Sequence, residues 1–146
     1  MRRANTGATL IELVSIMFII ASVATSAVPA WGDLRSFARQ RVMSDLMAKA
    51  QYEAEASRVY FAAAGGDLNA ASATVAINGN SVSFQYGYPK DDATGIARLM
   101  TFNGSLSFAG YTGWSISSTI ADCYVRYYAP SMLGSSATLL SVQSGC

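Results

Sequence analysis

The chain has 146 residues, 51% apolar and 13% charged, with a formal net charge of +1 and no histidine. That is enough for one domain with a modest core plus one membrane-length segment, and a second domain is not expected. The absence of histidine excludes imidazole chemistry and His-ligated metal, and the balanced charge leaves no footprint for nucleic acid.

The chain opens on the basic head "MRRANTG", followed from Ala8 to Trp31 by a run whose one charge is Glu12. Its length is close to the roughly 20 residues a helix needs to cross the hydrocarbon core. Arg2 and Arg3 hold the head on the cytoplasmic side, so the remainder points outward. Three readings compete for this run: a signal peptide cut near Ala24 to Ala27, a plain single-span anchor, and a helix trimmed at its start. The first two give Glu12 no role, although a charge within a span costs about 2.5 to 3.5 kcal/mol and usually marks a paired group. Cutting after Gly7 instead creates an amino group on Ala8, near Glu12 in sequence and at similar depth. Within one helix the pair is possible at i,i+4 spacing. Between neighbouring copies it favours assembly and sets its register.

"GATLIEL" (Gly7 to Leu13) behind a short basic leader resembles the class III signal of type IV pilins and their pseudopilin relatives, commonly G-F-T-L-I-E-L. The resemblance implies cleavage between Gly7 and Ala8 by a prepilin peptidase, N-methylation of Ala8, and an assembly role for Glu12. Pro29 stands where these pilins commonly carry a helix-bending proline. Ala8 stands where the family usually has Phe.

Small residues from Ala21 to Ala27 allow close approach of neighbouring helices. Beyond Pro29, the sequence to Ala64 is rich in helix formers and has no further proline. One helix is therefore expected over about 8–63, bent near Pro29 and Gly32 because proline lacks the backbone donor. Arg41, Asp45, Lys49 and Glu53 alternate in sign at i,i+4 steps and outline a solvent or inter-subunit face. Leu34, Ala38, Val42, Leu46, Ala50 and Ala54 form an i+4 row for packing on a globular head. The expected organisation is a leader at 1–7, a membrane or filament-core helix at 8–31, its continuation on the head at 32–64, and a β-sheet head at 65–146.

Gly65 and Gly66 end the helix. Asn78-Gly79 lies between the alternations Val75, Ile77 and Val82, Phe84, Tyr86, which predicts a β-hairpin. Gly87-Tyr88-Pro89 is expected to break it, "KDDATGIARLMTF" to form a short helix or turn, and "GWSIS", "CYVRYYA" and "ATLLSVQ" to be strands. A sheet after a run of helix is an α+β arrangement.

Asp91 and Asp92 are candidate ligands for a hard cation, although such pairs more often cap a helix or sit in solvent. No His stands ready as a base for the many serines, so no nucleophilic site is expected. The aromatics Tyr86, Tyr88, Tyr111, Trp114, Tyr124, Tyr127 and Tyr128 are sheet-packing residues by default, with a few facing outward as binding contacts. Cys123 and Cys146 lie outside the membrane in the orientation above, where thiols are oxidised, and a bridge is worth about 3 kcal/mol. Two free thiols would require a reducing compartment.

The Cys pair also matches the pilins, where a disulfide near the C-terminus encloses an exposed region. "VSFQYGYPKDDATGIARLM", "DCYVRYYAP" and the final "SGC" resemble pilins of the mannose-sensitive haemagglutinin type. The resemblance implies the type IV pilin fold and a structural subunit without catalysis, cofactor or metal. It further implies a helical homopolymer serving attachment and biofilm formation, with a prepilin peptidase, an assembly ATPase and an inner-membrane platform as partners. The subunit would wait as a single-pass inner-membrane protein before joining an extracellular fibre. A minor pilin, a type II secretion pseudopilin, a DNA-contacting competence pilin and a secreted enzyme are the alternatives.

Overall fold

The computed structural model describes residues 10–100, 107, 108 and 113–146, and of 26–30, 107 and 108 only the backbone. Gly7 and Ala8, the expected cleavage and methylation positions, lie outside the described residues, as do the leader and Tyr111. The chain divides into two compact units, residues 1–38 and 39–146.

Helix α1, Leu10–Ala63, contributes to both units and continues through Pro29 and Gly32. In the first unit it carries an exposed apolar surface, with Leu10 81%, Phe18 75% and Val23 60% accessible. Among the described residues no helix is long and apolar enough to cross a membrane. The apolar run expected to span begins at Ala8 and passes through 26–30, so part of it falls outside the described side chains.

The second unit is built on the remainder of α1. Its buried positions are Met43, Leu46, Ala50, Ala54, Ser57 and Phe61, spaced three and four residues apart as a period of 3.6 requires. Leu46, Ala50 and Ala54 of the expected row are buried, whereas Leu34 and Val42 are exposed. A strict i+4 row drifts around the helix, and the stripe that meets the sheet has to step back by three. The alternating charges keep to the outside, with Arg41, Asp45 and Lys49 exposed and Glu53 half-buried. The helix ends in a Schellman arrangement: Gly66 N–H donates to Phe61 O at 2.9 Å and Gly65 N–H to Ala62 O at 3.1 Å. Gly65 takes φ 79°, a conformation a side chain would strain.

Strands β1 (Ala73–Ile77) and β2 (Asn80–Gln85) form the expected hairpin in antiparallel register, Ile77 opposite Asn80. Asn78 and Gly79 both have positive φ, the backbone of a two-residue turn that matches strand twist. The chain does not leave the sheet at Gly87-Tyr88-Pro89. Tyr86 and Gly87 make a second positive-φ turn, and β3 (Tyr88–Pro89) pairs back on β2. Helix α2 (Ile96–Leu99) follows. Strands β4 (Ser107–Phe108), β5 (Gly113–Ser115), β6 (Tyr124–Tyr128) and β7 (Thr138–Val142) form a separate antiparallel sheet in chain order. The fold is α+β, with a long N-terminal helix and two antiparallel sheets where one was expected.

Two apolar clusters hold the second unit together. Met43, Leu46, Ala50 and Ala54 pack with Tyr88, Ile96, Trp114, Val125, Tyr127 and the disulfide sulfurs' residues. Phe61 stacks on Phe84 at 4.5 Å between ring centres and shares a smaller cluster with Val82. Among the described residues no buried side-chain nitrogen or oxygen lacks a hydrogen-bond partner.

Candidate functional site

Two features of the molecule stand out chemically, one in each unit. In the first, Glu12 sits exposed in the first turn of α1, where the helix dipole favours a carboxylate. Around it the apolar side chains of Leu10, Ile11, Leu13, Val14 and Ile16 are all more than half accessible. Three hydroxyls in this run are satisfied by the helix itself. Ser15 Oγ donates to Ile11 O at 2.7 Å, Ser22 Oγ to Ile19 O at 2.8 Å, and Thr25 Oγ1 to Ser22 O at 2.9 Å. Internal bonds of this kind hide polarity, so these residues can enter an apolar surrounding without an orphaned donor.

In the second unit, Cys123 and Cys146 are bonded, with Cα atoms 4.9 Å apart. The bridge closes on a backbone contact: Gly145 N–H donates to Asp122 O at 2.9 Å. A Cβ on Gly145 would fall on the carbonyl of Ala121, so this approach requires glycine.

Asp91 and Asp92 are not brought together as a cation site, and among the described residues no group of acidic or sulfur ligands converges. Asp92 caps its own loop instead. Its Oδ1 accepts from Thr94 N–H at 2.7 Å, Thr94 Oγ1 at 2.7 Å and Gly95 N–H at 3.0 Å. Partial burial opposes its ionisation, but those donors and the Lys90 charge outweigh it and hold the carboxyl below its ordinary value.

The aromatics divide as strand alternation dictates. Trp114, Tyr88 and Tyr127 are buried. Tyr88 accepts from Arg58 Nη1 at 2.8 Å and donates to Glu55 Oε1 at 3.2 Å, while Tyr127 donates to Pro89 O at 2.9 Å. Burial pushes the Tyr127 hydroxyl up, and the nearby Asp91, Tyr88 and Glu55 charges push it further, so it remains a donor at any physiological pH. These tyrosines brace α1 against the sheets.

Tyr124, Arg126 and Tyr128 occupy the outward face of β6. Tyr124 and Arg126 border a cleft of about 340 Å³ that also takes in Ser115, Ser117, Ser118 and Asp122. The Arg126 guanidinium lies 5.3 Å from the centre of the Tyr124 ring, and its Nη1 donates to Tyr128 Oη at 3.4 Å. That hydrogen bond, with the two tyrosines' charges, raises Arg126 above its ordinary value despite slight desolvation. Sequence reasoning did not single out Arg126 or Asp122. The signal was present in the alternation of "CYVRYYA", which puts Tyr124, Arg126 and Tyr128 on one face.

No family model, no curated protein and no solved structure matches the chain. The functional reading therefore rests on the residues themselves.

Proposed function

We propose that this chain is a structural subunit that polymerises through its N-terminal helix into a surface fibre, as a type IV prepilin and specifically a major pilin of the mannose-sensitive haemagglutinin type. The observation that carries the reading is the first unit's helix surface, broadly apolar and exposed, with one carboxylate in its first turn and Ser15, Ser22 and Thr25 internally bonded. Such a surface is costly in water and is covered in a polymer by other copies of itself. In this reading the contacts are head-to-tail and do not close, which produces a helical fibre.

In this reading the chain waits in the inner membrane with the second unit on the periplasmic side. It loses residues 1–7 to a prepilin peptidase, is methylated on the Ala8 amine, and is drawn into the fibre by an assembly ATPase and an inner-membrane platform. Glu12 takes the Ala8 amine of a neighbouring copy and fixes register. The Cys123–Cys146 bridge is compatible with an oxidising compartment. The protein acts by assembly and attachment, without catalysis or cofactor.

The deciding experiment is the intact, unreduced mass of the protein recovered from sheared cell-surface material. The expected mass is that of Ala8 to Cys146 with an added methyl group and the loss of the two thiol hydrogens. A start near Thr25 to Val28, or recovery only in soluble form, overturns the reading.

A further inference from the structure

We propose that the outward cleft on β5 and β6 binds a carboxylate-bearing sugar, with Arg126 taking the sugar's carboxylate and Asp122, Ser117 and Ser118 exchanging hydrogen bonds with its hydroxyls. The proposal stands on the second unit alone and does not require that the chain form a fibre.

The cleft exists because of one register pair. Arg126 lies opposite Gly113 on β5, and Gly113 carries no side chain to fill the space beside it. A Cβ there would stand 3.0 Å from Val125 O and 3.7 Å from Arg126 Cβ, pressing on the floor of the cleft. On the other side the wall is the segment from Ser117 to Asp122, which the Gly145–Asp122 hydrogen bond and the adjacent disulfide fix in place.

Arg126 is presented rather than neutralised. Its neighbours two residues away on the same face hold it, Tyr124 by its ring and Tyr128 by its oxygen. A guanidinium has five N–H donors in a rigid fork, and the Tyr128 bond uses one. The remaining donors match a carboxylate or phosphate, and a side chain already held in place loses less freedom when it binds.

The opposite wall selects between those anions. Asp122 brings a negative charge to the far wall of the same cleft, which disfavours a second charge on the ligand. A singly charged carboxylate satisfies Arg126, whereas a phosphate dianion adds repulsion from Asp122. Asp122 is acceptor-only, Ser118 both donates and accepts, and Ser117 Oγ, already bonded to Thr119 Oγ1 at 2.8 Å and to Thr119 N–H at 3.3 Å, keeps one bond for a ligand, a set that complements vicinal sugar hydroxyls. The volume is at the small end of ligand sites and suits one sugar ring with its linkage.

The test uses the full oxidised chain in detergent micelles, with galacturonate, a short galacturonate oligomer and methyl galactoside as probes, followed by ligand-observed NMR and calorimetry at low salt. Galacturonate is expected to bind at least tenfold more tightly than the neutral galactoside. Arg126→Gln, at an exposed position, is expected to abolish that preference with an unchanged melting temperature, and Tyr128→Phe to weaken it severalfold. An oligomer that binds better than the monomer identifies a polysaccharide as the source of the ligand, and equal affinity identifies a single sugar. Equal affinity for charged and neutral sugars, a preference that survives Arg126→Gln, or no binding of galacturonate at 10 mM (about −2.7 kcal/mol at 25 °C) overturns the proposal.

Discussion

Arg39 donates from Nη1 to the main-chain oxygen of Cys146 at 3.3 Å, tying α1 to the last residue of the chain. The disulfide holds that residue in place, and Gln143 Nε2 reaches Ser44 Oγ of the same helix at 3.5 Å. The C-terminus is thus a clasp on the helix, and its parts should depend on one another.

Reduction of the bridge, or Cys123→Ala with Cys146→Ala, is expected to lower stability by about 3 kcal/mol for a sequence separation of 23. Thermal melts with and without reductant measure this. Arg39→Met should cost about 1 kcal/mol in the oxidised protein. The same substitution in the bridge-less variant should cost measurably less, because the oxygen it serves is no longer held. Equal costs in both backgrounds would show that arginine and disulfide act independently.

Phe61→Ala is expected to destabilise the second unit by about 3 to 5 kcal/mol. Phe61 is fully buried, stacks on Phe84, and lies against Gly66 in the helix cap, so little can collapse into the space it leaves. Val59→Ala on the exposed face of the same turn should cost under about 0.5 kcal/mol. Denaturant midpoints of the two variants give the comparison directly.

The Asp92 cap predicts an acid-sensitive contribution. Its carboxyl lies below its ordinary value in the folded chain, so its stabilisation is complete above the ordinary carboxylate value near 3.9 and is lost as pH falls through the lower folded value. The group is partly exposed, and screening keeps the effect below about 1 kcal/mol. Asp92→Asn should therefore be less stable than the parent at pH 7, and the difference should shrink as pH falls below about 3.9. A difference that persists unchanged at pH 2 would assign the effect to geometry rather than charge.

Glu12→Gln separates folding from assembly. The carboxylate lies in the first unit, so the melting of the second unit is expected to stay within about 0.5 kcal/mol of the parent. If Glu12 pairs with the Ala8 amine of a neighbour, the variant leaves the cell surface without fibres, as electron microscopy of sheared material would show. Fibres at parental abundance would remove the carboxylate from the assembly step.

The long helix, the glycine stop after Ala63, the Asn78-Gly79 hairpin, the strands at Trp114, Tyr124 to Tyr128 and Thr138 to Val142, and the pairing of the two cysteines are legible in the residues alone. Each is set by local chemistry or by a choice among very few partners: helix propensity, turn dihedrals, period-two alternation, and one possible bridge. Other features depend on which surfaces meet and come from packing. The buried stripe of α1 follows the sheet it covers, so Met43 and Phe61 are inside and Val42 outside, although the spacing of the apolar residues allows either. Tyr86-Gly87 turns the chain back as β3 because Phe84 and Gln85 are there to receive Pro89 and Tyr88. The cleft depends on Gly113 falling opposite Arg126, a register fixed by strand pairing and not by either residue's own preference.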